Sequence, residues 1–294
     1  MYLRYAEIII YFLSYIFSMF KIGLTIWSIG LTSSYNDLLR QLELAIKIGV
    51  EGVQLWCVDY GSNLPCLLDP YRCDVKCRKR VEETIDSYGL KITGFCAQLS
   101  SPNRFGGFDD PEGIEKRIEK TKRALELSVD MGSPIVTTHP GVIPENKDDK
   151  RYNIIFSSIK EIAKFAENIG AYFCIETGME PINVLKDFIL EINSDGLKVN
   201  FDPANLLRYG VDEIVNGVRV LSNWIIHTHA KDYNPKTKKA TVGKGLVPWK
   251  DYLKELKNQG YKGWLVLEDE TGKNVVESLI EGREFLEKAI KDLV

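Results

Sequence analysis

The chain contains little histidine, little cysteine and little excess charge, and each shortage excludes a class of protein. Only three of its 294 residues are histidine and six are cysteine, and the formal net charge is −3. Six cysteines are too few for the disulfide framework of a small secreted domain, so a reduced, cytoplasmic protein is expected. An acidic chain has no general attraction for nucleic acid or an anionic membrane. We therefore expect a small-molecule substrate and no nucleic-acid or membrane partner.

The cysteines leave one minor alternative. Cys66, Cys73 and Cys77 lie close together in the sequence and could hold a structural zinc ion. Their spacing lacks the second ligand pair that such sites usually have. The sequence therefore favours reduced cysteines without a zinc ion.

Long apolar runs are also scarce, and the clearest one stands near the N-terminus. Residues 8–20 read IIIYFLSYIFSMF. This run is shorter than the ~20 residues that cross a bilayer, and it carries no small-residue cleavage site of a signal peptide. Residues 1–20 are interpreted either as an apolar arm that covers the domain or a partner subunit, or as a start-site artefact with Met19 as the true first residue.

From Lys21 onward, short β-prone runs alternate with segments of helical period. The predicted strands are KIGLTIW (21–27), GVQLWC (52–57), LKITGFCAQL (90–99), PIVTTHPG (134–141), AYFCIET (171–177), LKVNFDPAN (197–205), WIIHTHAKD (224–232) and GWLVLEDE (263–270). The clearest predicted helices cover 35–49, 111–132, 152–170, 249–260 and 275–292, and several end in glycine, as helix C-termini often do.

Eight such βα units predict one α/β domain over residues 21–294, a (β/α)8 TIM barrel, because that fold takes about 250 residues. A doubly wound sheet is the competing arrangement. It is disfavoured because no phosphate-binding glycine motif follows any of the strands.

In a barrel of this kind, functional groups gather at the C-terminal ends of the strands. The fifth predicted strand ends near Glu176, the sixth near Asp202 and the eighth near Glu268, while the seventh carries His227 and His229. Buried carboxylates need a countercharge, so one divalent metal ion is predicted. Oxygen ligands with one imidazole favour Mn²⁺, with Mg²⁺, Co²⁺ and Zn²⁺ as alternatives.

Side chains alternate along a strand, so His227, His229 and Lys231 share one face. One imidazole of the pair can bind a metal while the other lies beneath it as support. By the same alternation Glu268 points into the barrel, while the leucines on either side of Val266 meet the helices.

Five stretches together resemble a known superfamily: CIET (174–177), NFDPANLL (200–207), HTHAKD (227–232), VGKGLVPW (242–249) and GYKGWLVLE (260–268). Their order and spacing are similar to those of the xylose isomerase-like TIM barrels. That superfamily contains sugar phosphate isomerases and epimerases, ketose 3-epimerases, hydroxypyruvate isomerase, inosose dehydratases and isomerases and, more remotely, endonuclease IV.

The resemblance implies a metal held by Glu176, Asp202, His229 and Glu268, with Glu176 and Glu268 also acting as proton-transfer bases. The implied activity is that of a sugar or sugar-phosphate isomerase or epimerase that works through a cis-enediolate on a carbohydrate or polyol. A homodimer or homotetramer is implied as well.

The sequence departs from the ketose 3-epimerases at two places. Asn205 stands where those enzymes usually have histidine, and Pro235 stands where they have arginine. The HxKD form with Lys231 looks more like the sugar phosphate isomerase/epimerase group, so a phosphorylated, carboxylated or cyclic substrate stays open beside a free ketose. The substrate-binding candidates are Trp27, Trp56, His139, Asn205, His227 and Lys231.

Other functions compete with this interpretation. A metal-dependent dehydratase of the inosose or dehydroshikimate type would use the same first step and then expel a β-hydroxyl group. An endonuclease IV-like activity is disfavoured, because that enzyme uses several histidines and a basic groove. A non-catalytic sugar-binding barrel is a third class.

Overall fold

The computed structural model describes residues 19–57, 66–97 and 107–293, and their strands form a closed parallel barrel in sequence order. Because β1 pairs with both β2 and β8, the described sheet has no free edge. The predicted TIM barrel is confirmed. The strands are β1 (Lys21–Thr25), β2 (Gly52–Trp56), β3 (Lys91–Cys96), β4 (Ile135–Thr138), β5 (Tyr172–Glu176), β6 (Leu197–Phe201), β7 (Ile225–Ala230) and β8 (Trp264–Leu267).

Helices follow the strands and pack around the barrel. The five helices predicted most clearly are all present and differ from the prediction by a few residues at their ends. The helices of the described residues are α1 (Tyr35–Ile48), α2 (Val75–Ser87), α3 (Ile114–Asp130), α4 (Lys150–Ile169), α5 (Ile182–Ile192), α6 (Pro203–Tyr209), α7 (Ile214–Leu221), α8 (Trp249–Asn258) and α9 (Val275–Lys291). No helix among the described residues is long and apolar enough to span a bilayer.

The end of β6 differs from the prediction. The strand predicted over 197–205 stops at Phe201, and α6 begins at Pro203. Asp202 caps this helix, since one of its carboxylate oxygens accepts hydrogen bonds from the backbone N–H groups of Ala204 and Asn205. Pro203 suits the first turn of a helix, where an N–H has no intrahelical partner. The cap fixes the direction in which the second oxygen of Asp202 points.

Small inward-facing residues fill the lower part of the barrel. A Cβ atom added to Gly23 would lie 3.0 Å from Thr93 Cγ2 and 3.3 Å from Val266 Cγ2, so these three residues meet inside the barrel. Since Val266 points inward, Glu268 points inward as well. The predicted alternation along β8 is confirmed.

The prediction for the cysteines is wrong in one respect. Cys73 and Cys77 form a disulfide across the first turn of α2, with their Cα atoms 5.2 Å apart, a separation that suits a disulfide. Neither can serve as a thiolate zinc ligand in this state, and Cys66 is a buried thiol outside the disulfide, with its Sγ 3.3 Å from the carbonyl oxygen of Trp56. Of residues 1–20, which are interpreted as an apolar arm or a start-site artefact, residues 1–18 lie outside the described part of the chain.

The loop between β7 and α8 is held by one carboxylate. Asp232 accepts hydrogen bonds from the backbone N–H groups of Gly243, Gly245 and Val247 and from the indole N–H of Trp249. A Cβ atom at position 245 would lie only 2.1 Å from Asp232 Oδ1, so this position requires glycine. The loop that follows the histidine strand is therefore a fixed structure.

We predict that Asp232→Ala lowers the free energy of unfolding by at least about 2 kcal/mol, because it leaves the buried N–H groups of Val247 and Trp249 without an acceptor. Equilibrium urea unfolding would measure the change. Asp195→Ala, at an exposed turn residue, is the matched control. A loss no larger than that of the control would show that the loop does not depend on Asp232.

Candidate metal centre

Four buried side chains converge at the C-terminal ends of neighbouring strands. Glu176 ends β5, Asp202 follows β6, His229 lies in β7 and Glu268 follows β8. One potential ligand atom from each lies within 4.8 Å of the others, and all four residues are buried. The structure therefore brings together the four ligands that the resemblance implies, and their role in metal binding stays a prediction.

His229 directs one ring nitrogen toward the three carboxylates. Its Nδ1 lies 3.3 Å from Glu268 Oε2, 3.5 Å from Glu176 Oε1 and 3.8 Å from Asp202 Oδ2. Its Nε2 points the opposite way and lies 2.9 Å from Gln54 Oε1 on β2. Because the amide oxygen accepts a hydrogen bond from Nε2–H, the lone pair is placed on Nδ1, where a metal would bind.

A divalent cation fits the donor atoms. Asp202 Oδ2 and Glu268 Oε2 are buried, and neither oxygen accepts a hydrogen bond of good geometry, which is costly for a buried carboxylate. Lys231 supplies one positive charge, with its Nζ 3.1 Å from Glu268 Oε2 and 3.7 Å from Asp202 Oδ2. With His229 neutral, as a metal ligand must be, three carboxylates and one lysine leave two negative charges, which one divalent ion would neutralise. Three oxygen donors and one imidazole nitrogen suit a hard or borderline ion.

The pKa values follow this crowding of charge. Burial alone would raise the pKa of Glu176, but His139 and His229, when protonated, outweigh it and hold this pKa well below its ordinary value. Burial is likewise outweighed at Glu268, where Lys231 and His229 lower the pKa to about 2. At Asp202 burial prevails and raises the pKa. Both glutamates are thus held as carboxylates at neutral pH.

The two glutamates are positioned by separate sets of donors. The side-chain amide of Asn205 donates to Glu176 Oε1 at 2.9 Å, and His139 Nε2 lies 3.1 Å from the same oxygen. The indole N–H of Trp27 donates to Glu268 Oε1 at 2.9 Å. The orientation of each carboxylate is therefore fixed by its own hydrogen-bond donors.

His227 lies beneath the four-residue cluster and is fully buried. Its Nδ1 is 2.8 Å from Asn200 Oδ1, and its Nε2 is 3.5 Å from Thr93 Oγ1. Burial and the nearby His229 hold its pKa well below the ordinary value, so the ring is neutral. Its contacts are those of the supporting imidazole expected for a histidine pair, and a contact with substrate stays a prediction.

Asn200 joins the two histidines to Glu176. Its amide nitrogen lies 3.3 Å from Glu176 Oε2 and 3.3 Å from both ring nitrogens of His229. Equal distances to the two ring nitrogens place the amide over the face of the imidazole, and leave the in-plane lone pair of Nδ1 toward the carboxylates.

The tryptophans form an aromatic wall beside the cluster. The rings of Trp27 and Trp56 meet edge to face with centroids 5.4 Å apart, and Trp27 lies 6.1 Å from the ring of His229. Trp27 belongs to a short 3₁₀ helix, Ile26–Ile29, that follows β1. Aromatic faces suit the C–H surfaces of sugars, so substrate contact by these two residues remains the prediction.

Gln54 and Asn200 are site residues that sequence reasoning missed. Each is a polar side chain inside a strand and fully buried. A polar residue at an inward position of the otherwise apolar run GVQLW is the one signal that could have identified Gln54. Its partner in the site lies 175 positions away in the chain, so the sequence alone does not connect them.

The closed barrel and the buried cluster of three carboxylates and one histidine at its strand ends can be compared with known proteins. The profile of the family described as "Xylose isomerase-like TIM barrel" matches residues 42–289, and the chain belongs to this family.

The individual relatives and solved structures compared below share less than a third of their residues with the chain. An uncharacterized protein of Methanocaldococcus jannaschii is 28% identical over 196 residues, which cover 60% of this chain and 67% of that protein. A D-psicose 3-epimerase of Ruminiclostridium cellulolyticum is 29% identical over 118 residues, or 38% of this chain and 39% of that enzyme. The solved structure of a xylose isomerase domain protein from Planctomyces limnophilus has a TM-score of 0.76 and 22% identity, and covers 93% of this chain and 98% of its own.

We predict that Gln54→Met weakens Mn²⁺ binding about 10- to 100-fold, because the Nε2–H of His229 loses its acceptor and the ring loses its orientation. Gln54→Glu keeps an acceptor and should bind Mn²⁺ more tightly than Gln54→Met. Isothermal titration calorimetry would measure the dissociation constants.

The matched control is Gln41→Met. Gln41 is also a buried amide, but it binds Thr32 and the backbone carbonyl of Gly30, so its replacement should leave Mn²⁺ affinity unchanged. Equal affinities of Gln54→Met and the unsubstituted protein would show that Gln54 does not position the ligand.

Proposed function

We propose that the protein is a divalent-metal-dependent sugar isomerase or epimerase that acts on a ketose or ketose phosphate through a cis-enediolate. The observation that carries the proposal is the pair of buried glutamate carboxylates that approach one nitrogen of His229, with Glu176 Oε1 3.5 Å and Glu268 Oε2 3.3 Å from Nδ1. Two carboxylates near one reacting carbon can remove a proton and return one, which is the chemistry this reaction requires. The similarity to a D-psicose 3-epimerase over part of the chain supports the same reaction class.

Glu176, Asp202, His229 and Glu268 would hold the ion. When bound, the cation would polarise the substrate carbonyl and stabilise the negative charge that develops on its oxygen. Mn²⁺ is proposed as the preferred ion because it binds both carboxylate and imidazole ligands. Mg²⁺, Co²⁺ and Zn²⁺ are the alternatives.

The protein residues would move the proton. One glutamate removes the proton from the carbon next to the carbonyl, and the other returns a proton. Trp27 and Asn205 hold the two carboxylates in place during both transfers. Loss of the C3 proton of a 2-ketose and return to C3 from the other side inverts that carbon, whereas loss from C1 and return to C2 gives the aldose. The enclosed position of the cluster keeps bulk water from competing for the proton.

Endonuclease IV-like activity receives no support from the site. Among the described residues, the cluster that could bind a metal contains one histidine, and the whole chain has three. Cleavage of a duplex containing an abasic site would contradict the proposal.

We predict that the Mn²⁺-loaded protein incorporates deuterium from D₂O next to the carbonyl of a ketose or ketose phosphate, as followed by NMR. The position of the label separates epimerisation from isomerisation, and a conjugated enone product would indicate a dehydratase instead.

Glu176→Gln and Glu268→Gln, assayed at measured Mn²⁺ occupancy, should each reduce exchange by at least about 10²-fold.

Glu277→Gln is the matched control, because this glutamate lies on the exposed face of α9 near its start. It should exchange like the unsubstituted protein. Near-normal exchange by Glu268→Gln would remove Glu268 from the mechanism, and no exchange with any sugar at full metal occupancy would contradict the proposed function.

A further inference from the structure

Lys231 and Arg208 both contact Glu270, a carboxylate close to the metal cluster. Lys231 Nζ lies 3.0 Å from Glu270 Oε1 and 3.1 Å from Glu268 Oε2. Arg208 Nη1, on α6, lies 3.7 Å from Glu270 Oε2. The two oxygens of Glu270 thus face two different cations, and Glu270 bridges them.

Glu270 stands at the mouth of the site. It follows Glu268 by two residues, and its side chain is 31% exposed, whereas that of Glu268 is 9% exposed. The intervening Asp269 is used differently, since its carboxylate accepts hydrogen bonds from Thr271 and Ser278. A substrate that enters toward the metal ligands would therefore meet Glu270, Lys231 and Arg208.

A lysine and an arginine side by side are the groups that usually bind a phosphate ester. Here the carboxylate of Glu270 already occupies the space between them. A phosphate group placed there would have to displace Glu270 from both cations and then lie next to its negative charge. Like charges in such proximity select against a ligand.

An uncharged sugar meets no such obstacle. Its hydroxyl groups can donate hydrogen bonds to Glu270 and accept them from Lys231 while the ion pairs stay intact. With one divalent ion at the cluster, the carboxylates of Glu176, Asp202, Glu268 and Glu270 are balanced by the ion, Lys231 and Arg208. With the imidazoles of His139 and His229 neutral, the site then has no excess positive charge to attract an anion.

We propose that Glu270 makes the site selective for an uncharged polyhydroxy ketose over its phosphate ester. This inference rests on the proposed function and decides between two substrate classes that the sequence leaves open. Glu270 is a specificity-determining residue in this account and takes no part in proton transfer.

The test compares equilibrium binding of ketopentoses, ketohexoses and their terminal phosphates to the Mn²⁺-loaded protein, by calorimetry. The unsubstituted protein should bind a free ketose more tightly than its phosphate. Glu270→Gln should improve the affinity for the phosphate about tenfold or more, because it releases both cations, and should change the affinity for the free ketose much less. Inorganic phosphate should compete with the ketose in Glu270→Gln and not in the unsubstituted protein.

Glu161→Gln is the control for net charge, because it removes one negative charge from the exposed face of α4, where Glu161 pairs with Lys122. It should leave all affinities unchanged. Tighter binding of the phosphate ester by the unsubstituted protein, or no gain in Glu270→Gln, would overturn the role of Glu270 and leave the proposed function standing. Binding of neither ketoses nor their phosphates would overturn both proposals together.

Discussion

Three carboxylates are buried within a few ångströms of one another, and the site is stable only if their mutual repulsion is offset by positive charge. Glu176, Asp202 and Glu268 lie at the ends of different strands, and parallel strands in a barrel direct those ends to the same face. Charges of one sign are stable in such a place only with cations among them. Lys231 supplies one positive charge, and the remaining two negative charges match a divalent ion in amount and position.

The surrounding residues keep this arrangement in one geometry. Gln54 determines which nitrogen of His229 faces the carboxylates, and Asn200 lies over the imidazole face while it also binds His227. Asp202 has one oxygen committed to the cap of α6, so its other oxygen is available to a metal. The polar groups of the barrel interior are thus arranged in layers, with the neutral His227 below and the charged cluster above.

Much of the fold and of the cluster could be predicted from the sequence, because both follow from local pattern. Short β-prone runs between segments of helical period predicted the eight strands, and charged residues at the strand ends indicated Glu176, Asp202 and Glu268. Contacts across the barrel could not be predicted in this way. The role of Gln54 depends on a residue 175 positions later. The bridge that Glu270 forms between Lys231 and Arg208 depends on the side-chain directions of three separate elements. β6 ends earlier than predicted because Asp202 caps the next helix. The β-prone residues before Asp202 gave no sign of this cap in the sequence.

The most direct test of the account is the free energy of unfolding measured as a function of free Mn²⁺ concentration. If the cluster binds one ion in the folded state, stability should rise by about 1.4 kcal/mol for each tenfold increase above the dissociation constant. A free energy of unfolding that does not change with Mn²⁺, up to millimolar concentrations, would contradict the claim that a divalent cation holds the cluster together.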